Sequence, residues 1–310
     1  MTLPPAFFVG ANLPWIRYGG DFGANAWAPA GLSQHSEPDR IASLFETLRA
    51  HGITTIRWFF LCDGRAGVRF GADGFPDGLD EVVFRDVDTA LSWAERAGLG
   101  VLPVLLDFHW CMPARTVNGV QLGGRRFVLS RPSGRQRLIE TVIAPLFERY
   151  GRDPRVHGWD LINEPEWVTL GVGTWNARRS ILRSAMRSYI RDAAACAHAH
   201  VVQPVTVGSA STRWLGLVKG LGLDFYQPHW YDSFESRAPL AMPVEAMRCD
   251  RPLVLGEFPT RGSARAPDVV IEMARAAGYQ GAMFWSVLAD DPATDFECAR
   301  EALTAGARRT

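Results

Sequence analysis

Gly158-Trp159-Asp160-Leu161-Ile162-Asn163-Glu164-Pro165 is an apolar run that ends in an amide, a carboxylate and a proline. Trp159, Leu161 and Ile162 suit a buried strand, and Pro165 prevents that strand from continuing. An Asn-Glu-Pro turn taken alone is a solvated loop tip. At the end of a buried strand inside a repeating architecture it becomes a site for chemistry, so the surrounding pattern decides the reading. That pattern repeats. Apolar strand-like runs occur at 7–12, 53–60, 101–107, 156–163, 202–207, 223–229, 253–257 and 281–285. Each is followed by a segment of helical periodicity, near 36–52, 83–98, 135–150, 177–199, 212–219, 244–248, 268–277 and 296–303. Ser36 reads as the N-cap of the first helix, with Glu37 and Pro38 in its first turn and Gly52 at its end.

Eight strand–helix units in 310 residues predict an α/β fold, a single (β/α)8 barrel spanning 1–310 as one catalytic domain. The competing open, doubly wound sheet is disfavoured. No Gly-x-Gly-x-x-Gly follows the first strand, and polar residues recur at nearly every strand's C-terminal end. With 33 Lys+Arg against 33 Asp+Glu and 47% hydrophobic residues, the chain is read as globular and soluble. The charge balance argues against nucleic acid or an anionic membrane as partner. The five cysteines are scattered, odd in number and without a Cys-x-x-Cys pair, which suits reduced thiols. No secretory leader is visible in the first ten residues, so a cytoplasmic location is the expectation, or a secreted one if a leader has been removed.

In such a barrel, functional groups sit where strands end. Those ends carry Asn12, Arg57, Asp107 with His109, Asn163 with Glu164, His229 with Tyr231, Glu257 and Trp285. Glu257 closes the buried run Leu253-Val254-Leu255-Gly256. Strands four and seven face each other across an eight-stranded barrel, so Glu164 and Glu257 can address one bond from two directions. Two carboxyls about 5–5.5 Å apart suit retaining glycoside hydrolysis. Arg57 is placed to keep Glu257 ionised. Eleven tryptophans, among them Trp15, Trp110, Trp167, Trp175, Trp230 and Trp285 in loops after strands, suit stacking on sugar rings. Asp107, Asp21 and Glu166 carry less weight, since polar loop residues near a site often only support it.

These residues resemble clan A glycoside hydrolases, most of all the family 5 cellulase/mannanase-type enzymes. The matching positions are Arg57, His109, Asn163-Glu164-Pro165, His229-Trp230-Tyr231, Glu257 and Trp285, spread over nearly the whole chain. The resemblance implies Glu164 as acid/base and Glu257 as nucleophile in a double displacement that retains configuration. It further implies that Asn163 binds the sugar 2-hydroxyl, that Tyr231 bonds the nucleophile and that Trp285 floors the subsite of the cleaved sugar. Arg57, His109 and His229 complete the expected substrate-binding set.

Rival chemistries lack their motifs. The only His-x-His, His198-Ala199-His200, falls at a helix end, and no His-Glu-x-x-His occurs, so no metal and no cofactor is expected. Gly208-Ser209-Ala210-Ser211 does not fit a serine-hydrolase elbow. A non-catalytic saccharide-binding barrel, or a transglycosidase using the same two glutamates, is the alternative to hydrolysis of a β-linked oligo- or polysaccharide. The sequence leaves the sugar, the linkage and the oligomeric state open. Its long segment from His109 to Gly134 can wall one end of a groove, and exo action on short oligosaccharides is the expectation.

Overall fold

The computed structural model describes residues 6–232, 234–235 and 240–307. The β-branched and aromatic runs form parallel strands at Phe8–Asn12, Thr55–Phe59, Gly100–Val104, Trp159–Asn163, Val205–Ser209, Gln227–Pro228 and Gly281–Phe284. Around the sheet they follow the order sixth, fifth, fourth, third, second, first, eighth. The registers pair Asn12 with Arg57, Arg57 with Leu102, Val104 with Asp160 and Ala11 with Phe284.

The seventh strand expected at 253–257 is held by alternating single bridges, Tyr226 to Leu253, His229 to Glu257 and Leu255 to Ala282. Its backbone is nevertheless laddered on both sides. Val254 N donates to Tyr226 O and Gly256 N to Pro228 O, while Leu255 N donates to Gly281 O. These bonds close the ring as a (β/α)8 barrel, with no open edge at strands six and eight.

Helices at Pro38–Ala50, Val83–Arg96, Arg183–His200, Pro267–Ala276 and Phe296–Ala307 pack apolar faces on the outside of the strands. Inside the ring, Leu102, Phe225, Val254 and Met283 fill the lower layer. The upper interior is polar and carries the site. No described helix is long and apolar enough to cross a membrane.

Several local expectations are corrected. Glu37, not Ser36, stands at the N-cap of the first helix, without a side-chain capping bond. The helix expected at 135–150 is a series of pieces, Arg126–Ser130, Pro132–Leu138, a π turn at Ile139–Ile143 and Ala144–Tyr150. Pro132 and Pro145 lack the N–H that a continuous helix needs, and the π turn widens the ladder ahead of Pro145. The helix expected from 177 begins at Arg183, because Asn176 and Ser180 form a side-chain-stabilised turn ahead of it. Two hairpins, Val68–Phe70 with Pro76–Leu79 and Arg115–Val117 with Val120–Leu122, were not expected.

Gly208 shows how tightly the interior is built. A Cβ there would lie 2.4 Å from Arg57 Nη2 and 3.0 Å from an Asp160 oxygen. Gly208→Ala is therefore expected to destabilise the fold by about 1–3 kcal/mol and to displace Arg57. Urea unfolding would measure the first effect, and catalytic rate the second.

Candidate active site

Arg57, fully buried, organises the floor of the barrel mouth. Its Nε and Nη2 donate to Asp160 Oδ2 at 3.0 and 2.8 Å, and Nη2 also donates to Asn163 Oδ1 at 2.7 Å. Its Nη1 donates to Asn12 Oδ1 at 3.0 Å and to Glu257 Oε1 at 2.6 Å. Burial pulls the guanidinium's pKa down, but Asp160 and Glu257 outweigh it, leaving the pKa raised. Asn12 is itself pinned by donation to Gly256 O and Phe284 O. Asn163 donates to Asp107 Oδ2 at 2.8 Å, which fixes its amide.

Glu257 is almost wholly buried and receives a second bond from Tyr231 OH, 2.8 Å from Oε2. Burial raises its pKa, while His229, Arg57 and the Tyr231 bond oppose that rise. The Tyr231 phenol is held protonated by burial and by the adjacent Glu257, so it acts as a donor.

Glu164 sits in the left-handed region, φ 45° and ψ 49°, between the fourth strand and a single turn, Pro165–Val168. Such a backbone is uncommon for a residue other than glycine and is concentrated at functional sites. Its N–H donates to Gly208 O at 2.7 Å. The Oε2 accepts from Trp167 Nε1 at 2.8 Å, and His229 Nδ1 lies 2.8 Å from Oε1. Burial pushes the Glu164 pKa up to about 7, opposed by the Trp167 bond. His229 is pushed down to about 4 by burial and is neutral near pH 7. The His229 imidazole lies near both carboxyls, 2.8 Å from Glu164 and 3.4 Å from Glu257, but only Glu257 also meets a guanidinium and a phenol, whereas Glu164 meets an indole.

One oxygen of each glutamate and one nitrogen of His229 lie within 4.8 Å of one another. By type this set could take a small cation. The Arg57 charge, 2.6 Å from Glu257, already occupies the electrostatic role that a cation would fill. The separation instead matches the spacing of a retaining pair rather than the wider gap of an inverting one.

The pair opens into a groove lined by Trp15, Tyr18, Phe59, Asp107, Phe108, His109, Trp167, Phe234 and Trp285, among others. All eight residues expected at the site therefore gather at one mouth, either on the groove or directly behind it. Burial pulls His109 down, but its bond to Asp107 outweighs this and raises it. The loop tryptophans divide. Trp15, Trp167 and Trp285 line the groove, Trp110 and Trp230 are buried packing residues, and Trp175 stands 83% exposed. Asp21 holds the loop after the first strand by accepting from Ile16 N, Arg17 N and Trp58 Nε1. Trp285 is oriented by donating to Asp291 Oδ2 at 2.8 Å.

No family model matches the chain. It is 25% identical over 323 residues to a mannan endo-1,4-beta-mannosidase of Mytilus edulis, an alignment covering 90% of this chain and 83% of the relative. A mannan endo-1,4-beta-mannosidase of Cryptopygus antarcticus is 23% identical over 90% of this chain and 80% of the relative. The crystal structure of an endo-1,4-beta-mannanase from Eisenia fetida superposes with a TM-score of 0.80 at 24% identity, covering 96% of this chain and 90% of that one. In fold and sequence the chain is similar to clan A glycoside hydrolases, most of all to family 5 mannanases. It is a retaining O-glycosyl hydrolase acting on a β-linked saccharide, rather than a binding barrel that has lost its chemistry.

Glu166 supports the site from behind the groove. It is fully buried, its Oε2 accepts from Ala210 N at 3.1 Å, and burial pushes its pKa up to about 8. Asp21, Glu164 and Glu166 all hold their protons more tightly in the folded chain than in the unfolded one. The contribution of these three carboxyls to stability therefore falls as pH rises from about 4 to about 8, because the unfolded chain ionises first. Glu166→Gln keeps the neutral shape and removes this penalty. Its melting temperature is expected to exceed that of the parent by several degrees at pH 8 and to equal it at pH 4, as calorimetry at the two pH values would measure.

Proposed function

We propose that the chain is an endo-acting β-1,4-mannanase in which Glu164 is the acid/base and Glu257 the nucleophile. The convergence of the two carboxyls to within 4.8 Å, each in a different electrostatic setting, is the observation that carries the assignment of roles. Glu257 Oε attacks the anomeric carbon as the glycosidic C–O bond breaks, and Glu164 delivers its proton to the departing oxygen. In the second step Glu164, now a carboxylate, takes a proton from water while the water oxygen attacks the anomeric carbon and Glu257 leaves. Both inversions occur at the same carbon, so configuration is retained. Asn163, locked between Arg57 and Asp107, presents its amide to the sugar bound beside Glu257, and Trp285 supplies a flat stacking surface.

The choice of mannan is supported by the relatives, named as mannan endo-1,4-beta-mannosidases. Endo action replaces the exo expectation drawn from sequence. Besides those relatives, it is supported by two aromatic pairs on the groove, Trp15 with Trp285 and Trp167 with Phe234, which offer stacking surface for more than one sugar.

Linear β-1,4-mannan is expected to lose viscosity faster than it gains reducing ends, and NMR of the first product is expected to show the β-anomer. Glu164→Gln is expected to lower polysaccharide hydrolysis by about 10²–10⁴-fold, with a smaller loss on aryl glycosides whose leaving group needs no proton. Glu257→Gln removes the attacking oxyanion and is expected to abolish both. Rate should follow a bell in pH, its alkaline limb near 7 as Glu164 ionises. An α-configured first product, or an active Glu257→Gln, would overturn the assignment.

A further inference from the structure

Glu164 leaves its strand on a left-handed backbone, φ 45° and ψ 49°. A residue other than glycine stays in that region only where its surroundings hold it there. Two bonds join this turn to the end of strand five. Glu164 N donates to Gly208 O at 2.7 Å, and Ala210 N donates to Glu166 Oε2 at 3.1 Å. The attachment points lie two residues apart on each segment, so the turn cannot pivot about either one alone.

Glu166 is gripped from the other side as well. Its carbonyl accepts from Thr169 N at 3.0 Å and from Gly173 N at 3.1 Å. A Cβ at Gly173 would lie 2.5 Å from that oxygen, so the loop 169–173 closes directly on the residue. Ile181 N donating to Val168 O and Leu170 N donating to Ile181 O anchor the loop in turn. Trp167, whose indole donates to Glu164 Oε2, packs edge-on against Trp214 with ring centroids 5.3 Å apart. Trp214 belongs to the turn Thr212–Leu217, just beyond Ala210. The Glu166–Ala210 bond therefore sets the spacing of the two segments that meet at the Trp167 indole. The carboxyl that makes this bond is fully buried, and its Oε1 has no hydrogen-bond partner of ordinary geometry among the described residues. A buried oxygen left in that state destabilises a fold. An apolar side chain would avoid the penalty, but it would offer Ala210 N no acceptor.

We infer that Glu166 is a positioning residue for the acid/base: its carboxyl fixes the turn after strand four against strand five and so sets where the Glu164 carboxyl stands in the groove. The inference rests on the assignment of Glu164 above. Kinetics of the full chain on two substrates tests it. A β-1,4-manno-oligosaccharide has a leaving group that needs a proton, and a 2,4-dinitrophenyl β-manno-oligosaccharide has one that does not. Glu166→Ala is expected to lower kcat/KM about 10–100-fold on the first, as displacement of a reacting group does, and less than about threefold on the second. Glu166→Gln keeps an oxygen to accept from Ala210 N and is expected to restore the oligosaccharide rate. Besides Glu166, the charged and titratable groups around Glu164 are Arg57, Asp107, His109, His229, Tyr231 and Glu257, and all are common to parent and variants. Loosening the turn admits water to the Glu164 carboxyl, so the alkaline limb of Glu166→Ala should move to lower pH. Glu166→Gln, neutral like the protonated parent side chain, should leave the limb in place. An equal loss on both substrates in Glu166→Ala, or an undiminished oligosaccharide rate, would overturn the inference. Should circular dichroism show that Glu166→Ala does not fold, Gly173→Ala, which pushes on the Glu166 carbonyl and keeps the carboxyl, decides by the same comparison. Glu164→Gln run alongside separates the two readings. A selective loss there beside an equal loss in Glu166→Ala sinks this inference alone, whereas an equal loss in Glu164→Gln sinks the acid/base assignment and the inference with it.

Discussion

A guanidinium sealed inside the barrel is the constraint on which the site depends. Arg57 has no access to water, so each of its donors has to find an oxygen from the protein, and it finds them on strands one, two strand-four residues and seven. A buried charge with missing partners is strongly destabilising, typically by 3–5 kcal/mol once one member of such a pair is removed. The fold therefore holds Asn12, Asp160, Asn163 and Glu257 where the guanidinium needs them. That is also where the proposed mechanism needs Asn163 and Glu257. Stability and positioning are here one requirement, and Gly208 is the gap in the fifth strand that lets it be met.

The difference between the two glutamates follows from this arrangement. Glu257 lies within reach of the cation, and Glu164 lies one strand pair away, on a left-handed residue that swings its carboxyl toward Trp167 and His229. Desolvation acts on both. Only Glu257 has a full positive charge at hydrogen-bond distance to offset it, the asymmetry on which the proposed division between nucleophile and acid/base rests. The neutral state of His229 contributes, because a protonated imidazole between the carboxyls would draw the proton off Glu164.

Much of this was legible in the chain, because a parallel barrel strand is buried on both sides and any polar residue at its C-terminal end stands out against an apolar run. Glu164, Glu257, Arg57 and Asn163 were found that way. Asp160 was passed over, although it sits mid-strand in the very run that decided the fold, because a carboxylate there makes sense only once Arg57 is known to point inward. For Trp110 and Trp230 the sequence leaves sugar stacking and loop packing equally open, and both are packing residues. Burial of a loop side chain is set by neighbours distant in sequence, and nothing in the local pattern carries it. The pieces of helix at 126–150 were blurred by apolar periodicity that continues through Pro132 and Pro145. The hairpin at 115–122 has a readable signal, Asn118-Gly119 between short β-prone segments, within the long segment from His109 to Gly134.

That hairpin pairs with itself and not with the barrel sheet, and only its base is bonded to the neighbouring loop. Residues added to or removed from its tip leave every barrel hydrogen bond and both glutamates untouched. The flank of the mouth can thus be lengthened, trimmed or exchanged as a cassette, and what the protein digests can drift without the reaction itself being renegotiated.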